Sequence, residues 1–201
     1  MRSFDYSNLK NRTWDNEILS YVAKIHEFKG KQELYLRQKP VELERLVEIA
    51  KVQSTESSNR IEGIVTTRSR LQQLVEDKTT PRNRDEKEIL GYRNVLNLIH
   101  ENYQYIPLKS NYILQLHRDL LQYTELSYGE KYKTSPNEID AVLPNGEKRI
   151  LFKPLEPYET PNAIEQICSS YQQALDHEIV DSLILIPCVI LDFLCVHPFN
   201  D

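Results

Sequence analysis

Apolar residues recur at helical spacing along most of the chain. Ile18, Leu19, Val22 and Ile25 share one face after Asp15 or Asn16, either of which suits an N-cap. They predict a helix that ends near Gly30. Pro40 reads as the first residue of a second helix, with Leu43, Leu46, Val47 and Ala50 as its stripe and Gly63 as its stop. Thr66 or Thr67 then caps a short helix through Leu71, Leu74 and Val75. Beyond a polar loop over 78–85, the stripe Ile89, Tyr92, Val95, Leu96 and Ile99 predicts a long helix from Asp85 to about Tyr103. Ser110 is the predicted cap of the next, with Ile113, Leu116, Leu120 and Leu121 facing inward.

The pattern changes after residue 125. Pro136, Pro144, Pro154 and Pro157 exclude a long helix. Two apolar runs, 139–143 and 149–152, flank Asn145-Gly146, which is a strong hairpin signal. Thr160-Pro161 looks like a cap followed by an N1 proline, opening a helix with the stripe Ile164, Ile167, Cys168, Tyr171 and Leu175. The last helix, from Asp181 or Ser182 to Val196, is apolar nearly all round, which predicts a place in the middle of a bundle. It is too short, and too interrupted by Pro187 and Asp192, to span a bilayer. Residues 1–14 read as an irregular arm carrying Phe4, Tyr6 and Trp14. The predicted fold is mainly α, a helical bundle with one β-hairpin.

Composition narrows this picture. The chain has 201 residues, 40% apolar and 27% charged, which is ordinary for a globular protein. Five glycines are too few for a turn-rich β fold or a dinucleotide-binding loop. A net charge of −5 argues against a nucleic-acid face or an anionic-membrane surface. Cys168, Cys188 and Cys195 form no CxxC pair and read as buried apolar residues of a reducing, cytoplasmic setting. The N-terminus lacks a signal-peptide pattern. The cluster Arg82, Arg84 and Lys87 reads as a solvated face.

None of the five histidines has metal-ligand spacing, and the chain has neither a nucleophile elbow nor a phosphate-binding GxxxxGK loop. His197 stands out by position. It follows the most apolar helix directly, and Pro198 stops that helix. An imidazole at the mouth of a buried element suits a general base near neutral pH. Phe199 would anchor the turn. Asp201 offers a hard carboxylate for Mg²⁺.

Val196-His197-Pro198-Phe199-Asn200-Asp201 resembles the opening of the Fic family signature, His-Pro-Phe-x-(Asp/Glu) followed by Gly-Asn-Gly and a basic residue. Ser58 to Gly63 resembles that family's inhibitory motif, a Ser or Thr, three residues, Glu, then Gly or Asn. Leu116-His117-Arg118 and Gly129-Glu130-Lys131-Tyr132-Lys133 resemble the stretch before the family's flap, with Lys133 where Arg is usual. The hairpin lies where the flap should be. The resemblance covers roughly 40–201. It divides the chain into an N-terminal helical segment with an inhibitory helix, 1–80, and a Fic core, 81–201.

The resemblance implies transfer of AMP from ATP to a hydroxyl side chain of a target protein. His197 would be the base, and Asp201 would hold Mg²⁺ and through it the nucleotide. Pro198 and Phe199 would fix the loop. Ile139, Leu151 and Phe152 of the flap would dock an extended target segment. Ser58, Glu62 and Gly63 would form the inhibitory element, with Glu62 restraining the γ-phosphate. The cofactors expected are ATP and Mg²⁺. The expected partner is a hydroxyl-bearing target segment, with no membrane or nucleic acid at this portion, and a homo-oligomer is allowed. Fic proteins of this arrangement often add a winged helix. The glycine-rich half of the signature would follow Asp201, so the chain reads as cut within the motif. Residues 1–201 alone are expected not to transfer AMP. Removal of AMP, or transfer of another phosphate-containing group, fits the same half-signature. From a different class, a non-catalytic helical module binding peptides at the flap is the alternative.

Overall fold

Asp15 starts the first helix as its composition suggests: its carboxylate accepts the Ile18 N–H at 2.8 Å. In the computed structural model, which describes residues 4–126, 129–143 and 145–200, helix α1 then runs over Asn16–Gln38. It does not stop at Gly30. No atom stands near a Cβ there, and the following Lys31 to Arg37 are mostly good helix formers, so a lone glycine costs about 1 kcal/mol and is carried. The break comes instead at Lys39, before Pro40. Helix α2 spans Pro40–Ile61. Gly63 terminates it as predicted, at φ +74°, and the Ile64 N–H turns back onto the Asn59 carbonyl at 2.9 Å. Helices α3, Arg68–Val75, and α4, Arg84–Asn102, are capped by Thr67 and Asn83. The α4 cap lies two residues before the expected start, because Asn83 Oδ1 takes the Glu86 N–H.

The chain divides into two compact units. One comprises Thr13–Ile106 and Leu116–Gly129, the other Met1–Arg12, Pro107–Gln115 and Glu130–Asp201, in each case as far as described. The first holds α1 to α4 and the second half of helix α5, Ser110–Leu121. Its core joins Leu71, Leu74 and Val75 of α3 to Ile89 of α4, with Val52 of α2 against them. Buried Arg93 donates to the Leu74 carbonyl at 2.6 Å, closing the C-terminal end of α3.

Glu86 is buried in the same unit and fully engaged. It accepts from Arg70 Nε at 2.9 Å and Nη2 at 2.6 Å, from the Thr66 hydroxyl and from the Arg82 N–H. The Arg70 guanidinium, with these further donors, holds its carboxyl at about 2 against an ordinary 4.5. A carboxyl lowered on folding adds stability that is fully present above its unfolded value. That stability is lost as pH falls from about 4.5 towards 2. Denaturant midpoints taken across this window should therefore fall steeply with acid. Glu86→Gln should flatten that part of the curve and lower neutral stability by roughly 2–4 kcal/mol, because it leaves Arg70 without its buried counter-charge.

The second unit holds helices α6, Thr160–Asp176, and α7, Ser182–Val196. Ile164, Ile167 and Cys168 of α6 meet Leu185, Val189 and Val196 of α7 in one core. The arm is more structured than its sequence suggests. Phe4 and Tyr6 are buried in this core, the Ser170 hydroxyl donates to the Phe4 carbonyl at 2.6 Å, and Tyr6 donates to Asp192 at 3.1 Å. Thr160 is the first residue of α6 rather than its cap, and its buried hydroxyl bonds the Glu156 carbonyl. Ser110 is likewise helical, with its hydroxyl 2.7 Å from that of Tyr132. Helix α7 corrects another expectation. Among the described residues only one face is covered, and Ile186, Ile190, Leu191 and Leu194 are exposed. Hydrophobicity all round a helix states what it favours, while neighbours decide how much is buried. Cys168 is buried, Cys188 and Cys195 half-buried.

Strands β1, Ile139–Val142, and β2, Lys148–Phe152, pair antiparallel with Ala141 opposite Arg149. Gly146 at φ +84° makes the turn. No helix among the described residues is long and apolar enough to cross a membrane.

Candidate active site

The site is built at the end of α7. His197 caps that helix with its N–H on the Phe193 carbonyl at 3.1 Å and its backbone left-handed, at φ +48° and ψ +70°. This conformation costs a non-glycine residue roughly 1 kcal/mol and persists only where surroundings enforce it. Pro198 cannot continue the helix, so the chain turns out through Phe199 and Asn200.

Residues 132–137 supply the enforcement. Lys133 donates its backbone N–H to the Pro198 carbonyl at 2.8 Å and its Nζ to the Val196 carbonyl at 2.9 Å. Thr134 N–H reaches Asn200 Oδ1 at 3.3 Å. Asn137 Nδ2 lies 2.7 Å from His197 Nδ1 and 2.9 Å from the Phe199 carbonyl oxygen. Phe199 stacks on Tyr132 with ring centres 6.1 Å apart and meets Phe193 edge-on at 6.3 Å. Four side chains, those of Tyr132, Lys133, Asn137 and Phe193, and two backbone amides thus hold the five consecutive residues from Val196 to Asn200.

Lys133 is 3% exposed. Burial lowers the pKa of its ammonium, and burial likewise raises the Tyr132 phenol. The Lys133 charge sits at the negative end of α7, where a cation is favoured. His197 and Phe199 are half-buried and Pro198 is buried. The ring of His197 is therefore supported on its Nδ1 side while the residue keeps access to solvent.

The other predicted residues fall in two places. Ile139, Leu151 and Phe152 lie in the same unit on the hairpin, all exposed, with Ile139 opposite Phe152. Ser58, Glu62 and Gly63 belong to the other unit. There Tyr92 donates to the Ser58 hydroxyl at 2.9 Å, Asn59 is buried with its amide on the Thr55 carbonyl, and Glu62 is an exposed C-cap of α2. Asp201, the expected Mg²⁺ ligand, lies outside the described residues. Among those described, no group of three His, Cys, Asp or Glu side chains is arranged to hold a metal. A single hard carboxylate such as that of Asp201 is the type of ligand Mg²⁺ takes when phosphates and waters complete its shell.

Residues 107–201 match the model of the Fic/DOC family. They are a Fic/DOC family domain. Two solved structures share its fold. A Fic domain containing signaling protein from Bacteroides thetaiotaomicron is 25% identical, with a TM-score of 0.69 over 81% of this chain and 61% of its own. A Fic family protein from Desulfovibrio desulfuricans is 17% identical, with a TM-score of 0.71 over 94% of this chain and 54% of its own. The chain thus spans little more than half the length of these structural relatives. No protein of curated function matches it.

The Fic domain includes α5, the 132–137 segment, the hairpin and both final helices. Lys133 stood out in the sequence only as a departure from the usual Arg. Its hold on Val196 and Pro198, and all of what Asn137 and Thr134 do, carried no sequence signal, because an irregular polar stretch has no period that points to a partner.

Proposed function

We propose that the protein is an adenylyltransferase that moves AMP from ATP to a hydroxyl side chain of a target protein. Membership of the Fic/DOC family supports a transferase. The observation that carries the finer reading is the clamped, left-handed His197 at the exit of α7. A base in a fixed position contributes both proton transfer and orientation.

The target hydroxyl gives its proton to the His197 imidazole as its oxygen bonds to the α-phosphorus. The bond from that phosphorus to the bridging oxygen of the β-phosphate breaks, and pyrophosphate departs with the electron pair. Phe199, held between Tyr132 and Phe193, keeps the loop from drifting. Mg²⁺ held at Asp201 would neutralise charge on the phosphates when bound. Among the described residues the hairpin strands pair only with each other, and an extended target segment can add to them as a third strand. Incubation of the full-length protein with α-labelled and, separately, γ-labelled ATP tests the reading. Protein label from the α position alone is expected. Label from the γ position, or none with any protein target, overturns it.

Glu62 is proposed to restrain the enzyme, on the strength of its place in the motif from Ser58 to Gly63. Glu62→Gly should raise α-label incorporation by roughly tenfold. Since Glu62 is exposed at the end of α2, melting temperature should hardly change. Unchanged labelling in the variant would remove the inhibitory assignment and leave the transfer reaction standing.

A further inference from the structure

We propose that Asn137 is a positioning residue that sets which ring nitrogen of His197 carries the proton. The proposal deepens the adenylyltransferase reading, since it concerns the candidate base. It begins from one carboxamide placed against two acceptor positions. Asn137 Nδ2 is 2.9 Å from the carbonyl oxygen of Phe199 and 2.7 Å from His197 Nδ1. A backbone carbonyl can only accept, so it must face the amide nitrogen and not the amide oxygen. This settles the orientation of the side chain. The carboxamide has two hydrogens, one directed to Phe199 and the other to Nδ1. Nδ1 is then an acceptor, and the neutral ring carries its proton on Nε2.

That tautomer has a chemical consequence. The Nδ1 lone pair is covered by the Asn137 amide, and Nε2 bears a hydrogen. Neither nitrogen can take a proton from a substrate hydroxyl in this arrangement. The structure therefore holds His197 in a resting state. A half-turn of the carboxamide releases it: Oδ1 then accepts from Nδ1–H, and the lone pair moves to Nε2. The ring gains no net charge in this exchange, because one proton leaves Nε2 for solvent and one arrives at Nδ1.

The same half-turn breaks the bond to Phe199, because two oxygens would face each other. The tautomer of the base and the backbone of the loop are thus coupled through one side chain. Asn137 belongs to the short link between Lys133, which is fixed on α7, and strand β1, which begins two residues later at Ile139. A target strand added to the hairpin would act on this link. Docking at the flap and arming of the base would then be one event.

The experiment is ¹⁵N spectroscopy of histidine-labelled full-length protein above the ordinary imidazole titration range, with the His197 signals assigned by their loss in His197→Gln. In the unmodified protein the proton should be on Nε2. Asn137→Asp replaces the donor by an acceptor and should move it to Nδ1. Asn137→Ala should give a mixture of both forms. In parallel, Asn137→Asp should raise kcat for AMP transfer at least threefold with KM for ATP within twofold, an increase that a merely structural role would not produce. A proton already on Nδ1 in the unmodified protein, or a tautomer that does not respond to Asn137→Asp, overturns the proposal. The spectra decide this without any turnover, so failure of the adenylyltransferase reading would show separately, as absence of label in every variant.

Discussion

Full-length protein carrying His197→Ala is expected to lose AMP transfer by about a hundredfold or more, the usual contribution of a general base. The loss should fall on kcat, since the imidazole acts on the target hydroxyl and not on the nucleotide. One complication is built into the backbone. His197 sits at φ +48°, where an alanine is strained, so the variant would combine loss of the base with a disturbed loop. Asparagine tolerates that conformation better and cannot serve as a base. His197→Asn should therefore fold like the parent, judged by its melting temperature, and still label about a hundredfold less. Labelling within tenfold of the parent in a folded His197→Asn would show that the proton goes elsewhere.

Gly91→Ala is expected to destabilise the unit formed by α1 to α4 and the end of α5 by roughly 3 kcal/mol, more than a hundredfold in its folding equilibrium. Gly91 is buried in α4, and a Cβ built there would stand 1.9 Å from the Leu120 carbonyl oxygen and 2.9 Å from its carbon. Both are backbone atoms, which cannot swing aside as a side chain can. α4 and α5 would have to separate, opening the packing around their crossing. In terms of melting temperature the expected fall is about 6–12 °C. Gly30→Ala is the matched comparison. It too places an alanine in a helix interior, but nothing lies within 4 Å of the added carbon. There the gain in helix propensity should stabilise by up to about 1 kcal/mol. Two identical substitutions with opposite signs separate steric approach from propensity. Equal effects at both positions would mean that α4 and α5 do not approach as closely as described.

Much of this architecture was legible from periodicity and punctuation. The stripes Leu71, Leu74, Val75 and Ile164, Ile167, Cys168 are buried where helical spacing puts them. Asp15, Thr67 and Asp181 cap helices as their short acceptor side chains favour. Asn145-Gly146 turns a hairpin. Errors gathered where a local signal competes with something distant. Gly30 looked like a stop, yet the helix formers beyond it carry α1 on. Ser110 and Thr160 looked like caps, yet Ser110 meets Tyr132 and Thr160 is buried against the Glu156 carbonyl. The arm reads as irregular chain, because aromatics scattered in a polar stretch, Phe4, Tyr6 and Trp14, say nothing about where they lodge.

The sequence by itself determined the helices, the hairpin, and the residues that stand together as His197-Pro198-Phe199 at the end of the most apolar segment. Each of these rests on interactions between residues a few positions apart, and short-range spacing records them. Only the tertiary structure decided that Lys133 closes α7 from 63 positions away, that Asn137 reaches His197 across 60, and that Tyr6 meets Asp192 across 186. Such pairs leave no period in the chain. They form because buried carbonyls and carboxylates must find donors, and which donor arrives is fixed by the path of the backbone.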